Sequence, residues 1–269
     1  MQYEKIELIP GRSEVTLEYF GNDDRTVPAD AMLVIPGGGY WVVCSDREGY
    51  PIAQAYMMHE MNTFVLHYSV NDKIERETDP LYQASLAMIH IRKNAEKYNI
   101  NPDRVFVVGF SAGGHLAGSL ATLWNRGDIQ EMLGENAGKN RPTGAVLCYP
   151  VTLGNSPAGH MGSFQNLLKD KFDDPAVRDA FSLEKNVGPH TCPAFILHTF
   201  DDEVVPLDNA LELGKAYKAA GIPFEMHIYP HAPHGVALAN KVTWVGNPDY
   251  LNPAIARWVS DSVVWMKSL

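Results

Sequence analysis

Cysteine is scarce in this chain of 269 residues. Only Cys44, Cys148 and Cys192 occur, an odd number with no CxxC pair, which excludes a disulfide framework. Two of them stand in apolar runs, Val42-Val43-Cys44 and Val146-Leu147-Cys148, where thiols are ordinarily buried and inert. Positive charge is also short: Lys and Arg number 22 against 32 Asp and Glu, a net charge of −10 with His neutral, and no basic run is present. Nucleic acids and anionic membrane surfaces are both held largely by Lys and Arg, so neither is an expected partner and a neutral or small substrate is. No apolar run approaches the roughly 18 residues of a membrane span. Residues 1–11 mix Glu4, Lys5 and Glu7 with isolated apolar residues and lack the basic start and apolar core of a secretion signal; a cytoplasmic location is expected. Gly (22) and Pro (18) together stay below the roughly 25–30% of low-complexity chains. Disorder and fibre are excluded.

What is present is core material, 45% hydrophobic residues, with no internal repeat and no linker dividing residues 1–269, so one domain is expected. Residues 4–9 and 14–20 alternate with the two-residue period of half-buried strands about a turn at Gly11. After Gly21-Asn22-Asp23-Asp24 the character changes. Residues 31–35, 63–68, 104–108, 145–149, 194–198 and 224–229 are short, mostly continuous apolar runs that suit central strands covered on both faces. Helical periodicity fills the gaps. Residues 50–61 carry Pro51 in the first turn. Leu81, Ala84, Met88, Ile91, Ala95 and Tyr98 form one apolar face that starts near Asp79-Pro80. Residues 111–124, 207–220 and 253–266 are further helices. The alternation predicts an α/β fold of about eight strands, mostly parallel, with helices on both faces. Residues 151–193 are too long for a simple crossover. They read as a small cap-like insertion with one or two short helices over the carboxyl edge of the sheet.

The central chemical signal is Val107-Val108-Gly109-Phe110-Ser111-Ala112-Gly113-Gly114. A strong strand enters this GxSxG and a helix leaves it, the setting of a nucleophile elbow, where only Gly leaves room on either side of an exposed serine hydroxyl. Serine needs a base, and the base an orienting carboxylate. In this arrangement the acid and then the His follow later strands. Residues 194–198 lead into Asp201, Asp202 and Glu203; residues 224–229 lead into His231 and His234. No HExxH pattern accompanies the two histidines, so neither a metal nor any other cofactor is implied.

With these residues in order, the chain resembles the α/β-hydrolase superfamily. Within it, the likeness is to the small carbohydrate and carboxyl esterases often described as acetylxylan esterases. The resemblance rests on Pro36-Gly37-Gly38-Gly39-Tyr40, on Gly109 through Ala117, on Asp202-Glu203-Val204-Val205-Pro206 and on His234-Gly235, and covers about residues 30–266. It implies an α/β-hydrolase fold with Ser111 as nucleophile, His234 as general base and Asp202, four before Pro206, as the acid. Asp201 is then expected to cap the following turn, Glu203 to face solvent and His231 to have no catalytic part. The resemblance also implies an oxyanion hole from the amides of Gly38, Gly39 and Ala112, with Pro36 standing where related HGGG loops have histidine. Tyr40 and Trp41 are expected to wall the acyl or sugar pocket, and His115 to be a structural hydrogen-bonding residue. Asn155, His160 and Ser163 in the insertion are candidates to reach substrate.

The expected function is a serine carboxylic-ester hydrolase that deacetylates xylo-oligosaccharides or similar small acyl esters through a covalent acyl-enzyme. An arylformamidase, general short-chain carboxylesterase or peptidase with the same triad is the alternative. A catalytically dead binding protein of this fold is a third reading, disfavoured because all the required residue types are present. Activity should fall as pH drops through about 6–7, the ordinary histidine range, because the base must be neutral.

Overall fold

The computed structural model describes residues 2–21 and 26–269, so Met1 and the change of character read at Asn22-Asp23-Asp24 lie outside the described residues. The described residues form one eight-stranded sheet. In chain order its strands are β1 (Gln2–Glu7), β2 (Thr16–Gly21), β3 (Ala29–Ile35), β4 (Asn62–His67), β5 (Ile100–Phe110), β6 (Ala145–Cys148), β7 (Ala194–Thr199) and β8 (Phe224–Tyr229). The order across the sheet is β1-β2-β4-β3-β5-β6-β7-β8. Only β1 with β2 and β2 with β4 pair antiparallel; every other pairing is parallel.

Side chains alternate across the sheet, so one run of apolar residues feeds two cores. Leu33 and Ile35 face one core and Met32 and Val34 the other. The first core is covered by α3 (Asp79–Lys93), α4 (Ser111–Thr122) and α8 (Asp208–Ala220). The second is covered by α2 (Tyr50–Met57) and α9 (Trp258–Lys267). The shorter helices are α1 (Ser45–Glu48), α5 (Gly127–Leu133), α6 (Met161–Leu168) and α7 (Pro175–Phe181).

The boundaries depart from the sequence reading where tertiary pairing overrides local pattern. β1 alternates as expected, but β2 is buried along nearly its whole length because β1 and β4 flank it. β5 starts four residues early, in a polar stretch, because Ile100 pairs with Ala29 before an irregularity restores the register at Ala31 with Val105. β8 is not a central strand. It closes the sheet as an edge, and its residues are half-buried or exposed because, among the described residues, no strand pairs with its outer side. The helix expected over 253–266 begins as a tighter turn, Ile255–Arg257, before α9, with the Asn252 carboxamide oxygen accepting from the Ala254 and Ile255 amides.

Because β3, β5, β6, β7 and β8 all run the same way, their carboxyl ends line one edge of the sheet. Ligand sites in such sheets form there. The segments leaving that edge carry Gly37–Gly39, Ser111, Tyr149, Asp202 and His234. Residues 151–193 leave from the end of β6, contain α6 and α7, and reach the glycine loop where the Asn166 carboxamide donates to Gly39 O at 2.8 Å.

Candidate active site

Ser111 is the first residue of α4 and has φ 54°, a left-handed conformation that costs a non-glycine residue about 1–3 kcal/mol. Its neighbours explain how the turn closes. A Cβ on Gly109 would lie 2.1 Å from Gly113 O, and one on Gly113 would lie 2.3 Å from both Ile35 O and Pro36 O. The Val151 amide donates to Ser111 O at 3.1 Å, which pins the strained residue from the end of β6. The Ser111 hydroxyl is thereby held 2.8 Å from His234 Nε2.

His234 Nδ1 lies 2.7 Å from Asp202 Oδ2. An ionised carboxylate only accepts, so Nδ1 carries the imidazole proton and Nε2 accepts from the Ser111 hydroxyl. The other oxygen of Asp202 accepts the amides of Val204 and Val205, each at 2.9 Å. Burial opposes ionisation of Asp202, but its bonds to His234 and Val205 outweigh it and hold the carboxyl below its ordinary value. The turn-capping task expected of Asp201 therefore belongs to Asp202 itself. Asp201 instead binds His231 Nδ1 at 3.0 Å and the Ala232 amide at 3.1 Å, bracing the loop that carries His234. Glu203 is exposed.

The glycine loop packs directly on this elbow. A Cβ on Gly37 would stand 3.0 Å from Ser111 Cβ, and Gly38 and Gly39 have φ of 126° and 66°. Among the described residues no backbone acceptor takes the Gly38 or Gly39 amide, and the Ala112 amide lies in the first turn of α4, where no preceding helical carbonyl exists. Three sequence-distant groups hold the loop. Tyr68 Oη donates to Pro36 O at 2.8 Å, Asn166 takes Gly39 O, and the Gly37 amide donates to Glu48 Oε2 at 2.9 Å.

Glu48 and Tyr149 escape sequence reasoning. Tyr149 Oη donates to Glu48 Oε1 at 2.8 Å and accepts the Ala237 amide at 3.1 Å. Its ring stands edge-on to His234 with centroids 5.1 Å apart. The only local signal was an acidic residue just before Gly49-Tyr50-Pro51, which reads as an ordinary helix-start charge.

Tyr40, expected in the pocket wall, is turned into the core. It is buried, and its hydroxyl meets His115 Nδ1 at 2.7 Å. His115 Nε2 donates to Phe181 O at 2.8 Å; a carbonyl can only accept, so Nδ1 accepts the Tyr40 hydroxyl. Burial pushes His115 down to about 4, so it is neutral at pH 7. Trp41 lies on the surface, 58% exposed. Asn155 is occupied within residues 151–193, with its carboxamide on Pro175 O, Asp179 and Arg178. His160 caps α6 by accepting the Ser163 amide at 3.3 Å, and Ser163 Oγ lies 4.0 Å from where a Gly39 Cβ would be. A cavity of about 630 Å³ opens beside His234, lined by Asp201, Glu203, Val204, Asp249 and Leu251 among others. Among the described residues, no cluster of three or more His, Cys, Asp or Glu could hold a metal ion, and no helix is long and apolar enough to cross a membrane.

Comparison with known proteins gives this geometry a context. The BD-FAE family profile matches residues 17–217. Endo-1,4-beta-xylanase B of Butyrivibrio fibrisolvens is 40% identical over 232 residues, which are 85% of this chain and 35% of that protein. Acetylxylan esterase of Xylanibacter ruminicola is 30% identical over 234 residues, 85% of this chain and 45% of that protein. The chain thus spans less than half the length of these two relatives. The structure of an acetyl ester-xyloside bifunctional hydrolase from Caldicellulosiruptor lactoaceticus is 30% identical, with a TM-score of 0.82 over 98% of this chain and 96% of that one.

Proposed function

The chain belongs to the BD-FAE family and has the α/β-hydrolase fold, and from that premise we propose that this carboxylic ester hydrolase removes small acyl groups, acetyl foremost, from xylo-oligosaccharides. The observation that carries the mechanism is the continuous path from Ser111 Oγ to His234 Nε2 at 2.8 Å and from His234 Nδ1 to Asp202 at 2.7 Å, beside a glycine loop whose Gly38 and Gly39 amides have no backbone acceptor among the described residues. Support for the substrate class comes from the acetylxylan esterase and the acetyl ester-xyloside hydrolase that the chain is similar to.

Ser111 Oγ attacks the ester carbonyl carbon as its proton passes to His234 Nε2. The carbonyl oxygen becomes an oxyanion, received by the amides of Gly38, Gly39 and Ala112, which are fixed before the charge develops. Asp202 stabilises the imidazolium without taking its proton. When the C–O bond to the alcohol breaks, His234 returns the proton to the leaving oxygen and the acyl group stays on Ser111. Water, deprotonated by His234, then releases acetate and restores the serine.

The test is acetate release from acetylated xylo-oligosaccharides and from an aryl acetate, for the native protein and Ser111→Ala. Release from both substrates by the native protein and from neither by Ser111→Ala is expected. Turnover of the aryl ester alone would remove the sugar assignment, and N-formylkynurenine would be the next substrate to try.

A further inference from the structure

Glu48 has no task in the steps above, yet it occupies the middle of the scaffolding that supports them. It ends the four-residue helix α1 and is 6% exposed, and a carboxylate buried this far is tolerated only with strong partners. Oε2 accepts the Gly37 amide, and Oε1 accepts the hydroxyl of Tyr149, whose ring contacts His234. The preceding residue, Arg47, donates through Nη2 to Gly235 O at 2.7 Å and through Nε to Thr243 O at 3.3 Å. One helical turn therefore grips both the glycine loop and the loop that carries His234.

We propose that Glu48 is a positioning residue for the hydrolysis, an ionised carboxylate that fixes the glycine loop against the Ser111 elbow and favours the His234 imidazolium. The proposal rests on the assignment of Ser111 and His234 as nucleophile and base. Space places the carboxylate between the two loops: a Cβ on Gly37 would lie 2.7 Å from Glu48 Oε2, and one on Gly235 would lie 3.9 Å from Oε1. Both carboxyl oxygens act as acceptors, Oε2 from the Gly37 amide and Oε1 from the Tyr149 hydroxyl, while the Tyr149 oxygen itself accepts the Ala237 amide; this donor set fits the ionised carboxylate. Burial raises the carboxyl above its ordinary value, and the Tyr149 and Gly37 bonds and the charges of His234 and Arg47 offset only part of that rise. The other titratable groups facing it are Cys44 on its own segment, Tyr68 after β4, and Cys148 beside Tyr149. All three are raised by burial and stay neutral. Arg47 and the transient imidazolium are the cations within its reach.

Glu48→Gln keeps the volume and an acceptor for Gly37 but removes the charge. The experiment compares pH–rate profiles on an aryl acetate for the native protein, Glu48→Gln and Tyr149→Phe, with Ser111→Ala as the blank. For Glu48→Gln, kcat should fall about tenfold to a hundredfold, the range expected when preorganised geometry is loosened, with KM little changed. The acid limb of kcat/KM should move to lower pH, because the imidazolium has lost a neighbouring anion. Tyr149→Phe should shift both in the same direction by less. A native kcat and an unmoved acid limb in Glu48→Gln overturn the proposal, as does a loss of kcat that follows only the loss of folded protein. Should Glu48→Gln fail to fold, the same criteria applied to Tyr149→Phe decide. Activity surviving in Ser111→Ala would instead overturn the nucleophile assignment, a separate failure.

Discussion

Ser111 adopts a backbone conformation that its own chemistry disfavours, and the surrounding glycines show why it stays there. Any side chain at Gly109 or Gly113 would collide with backbone oxygen. That pattern was legible in the sequence, because strand, GxSxG and helix in succession admit few other geometries. The acid was less legible, since three adjacent carboxylates satisfy the same spacing and resemblance alone selected among them. The structure separates them by burial: Asp202 has no exposed side-chain surface, whereas the side chain of Asp201 is 44% exposed. Asp202→Asn retains an oxygen for the Val204 and Val205 amides but cannot hold the His234 tautomer. It should therefore melt near the native temperature while kcat falls roughly 10⁴-fold. A kcat within tenfold of native would shift the acid role elsewhere.

At the level of elements, the strands were read well because apolar runs flanked by turns are a local signal. The faults lie where a neighbour decides. Whether residues 224–229 form an edge or a centre depends on what pairs outside them, and α1 is too short to show any period. Tyr40 was misplaced for the same reason, because its aromatic ring follows the glycine loop in sequence yet turns into the core. The path from Tyr40 through His115 to Phe181 O ties that loop to α4 and to α7. Tyr40→Phe leaves Nδ1 of a buried histidine without its donor, which should cost about 1–3 kcal/mol and lower the melting temperature, with KM for an aryl acetate unchanged. A raised KM with native stability would put Tyr40 in the substrate pocket after all.

For the whole molecule, the buried and half-buried histidines should set the response to acid. His115 is held down to about 4 by burial, and burial also lowers His67, His90, His160 and His198. Each binds a proton more readily unfolded than folded, so the stability linked to it is complete above the unfolded value near 6.5 and is lost as pH falls through the folded one. His115 alone should account for about 3 kcal/mol between pH 6.5 and 4. Thermal melts over that interval should fall steeply, and His115→Gln, though less stable at pH 7, should give a shallower slope; equal slopes would contradict the assignment. The proposed mechanism centres on one oxygen atom, Ser111 Oγ, and labelling tests that most directly. The protein is treated with a fluorophosphonate and the adduct located by peptide mass. One adduct on Ser111, formed in step with loss of esterase activity, is the expected result. An adduct at another residue accompanying the same loss, or full activity in a protein modified at Ser111, would contradict the account.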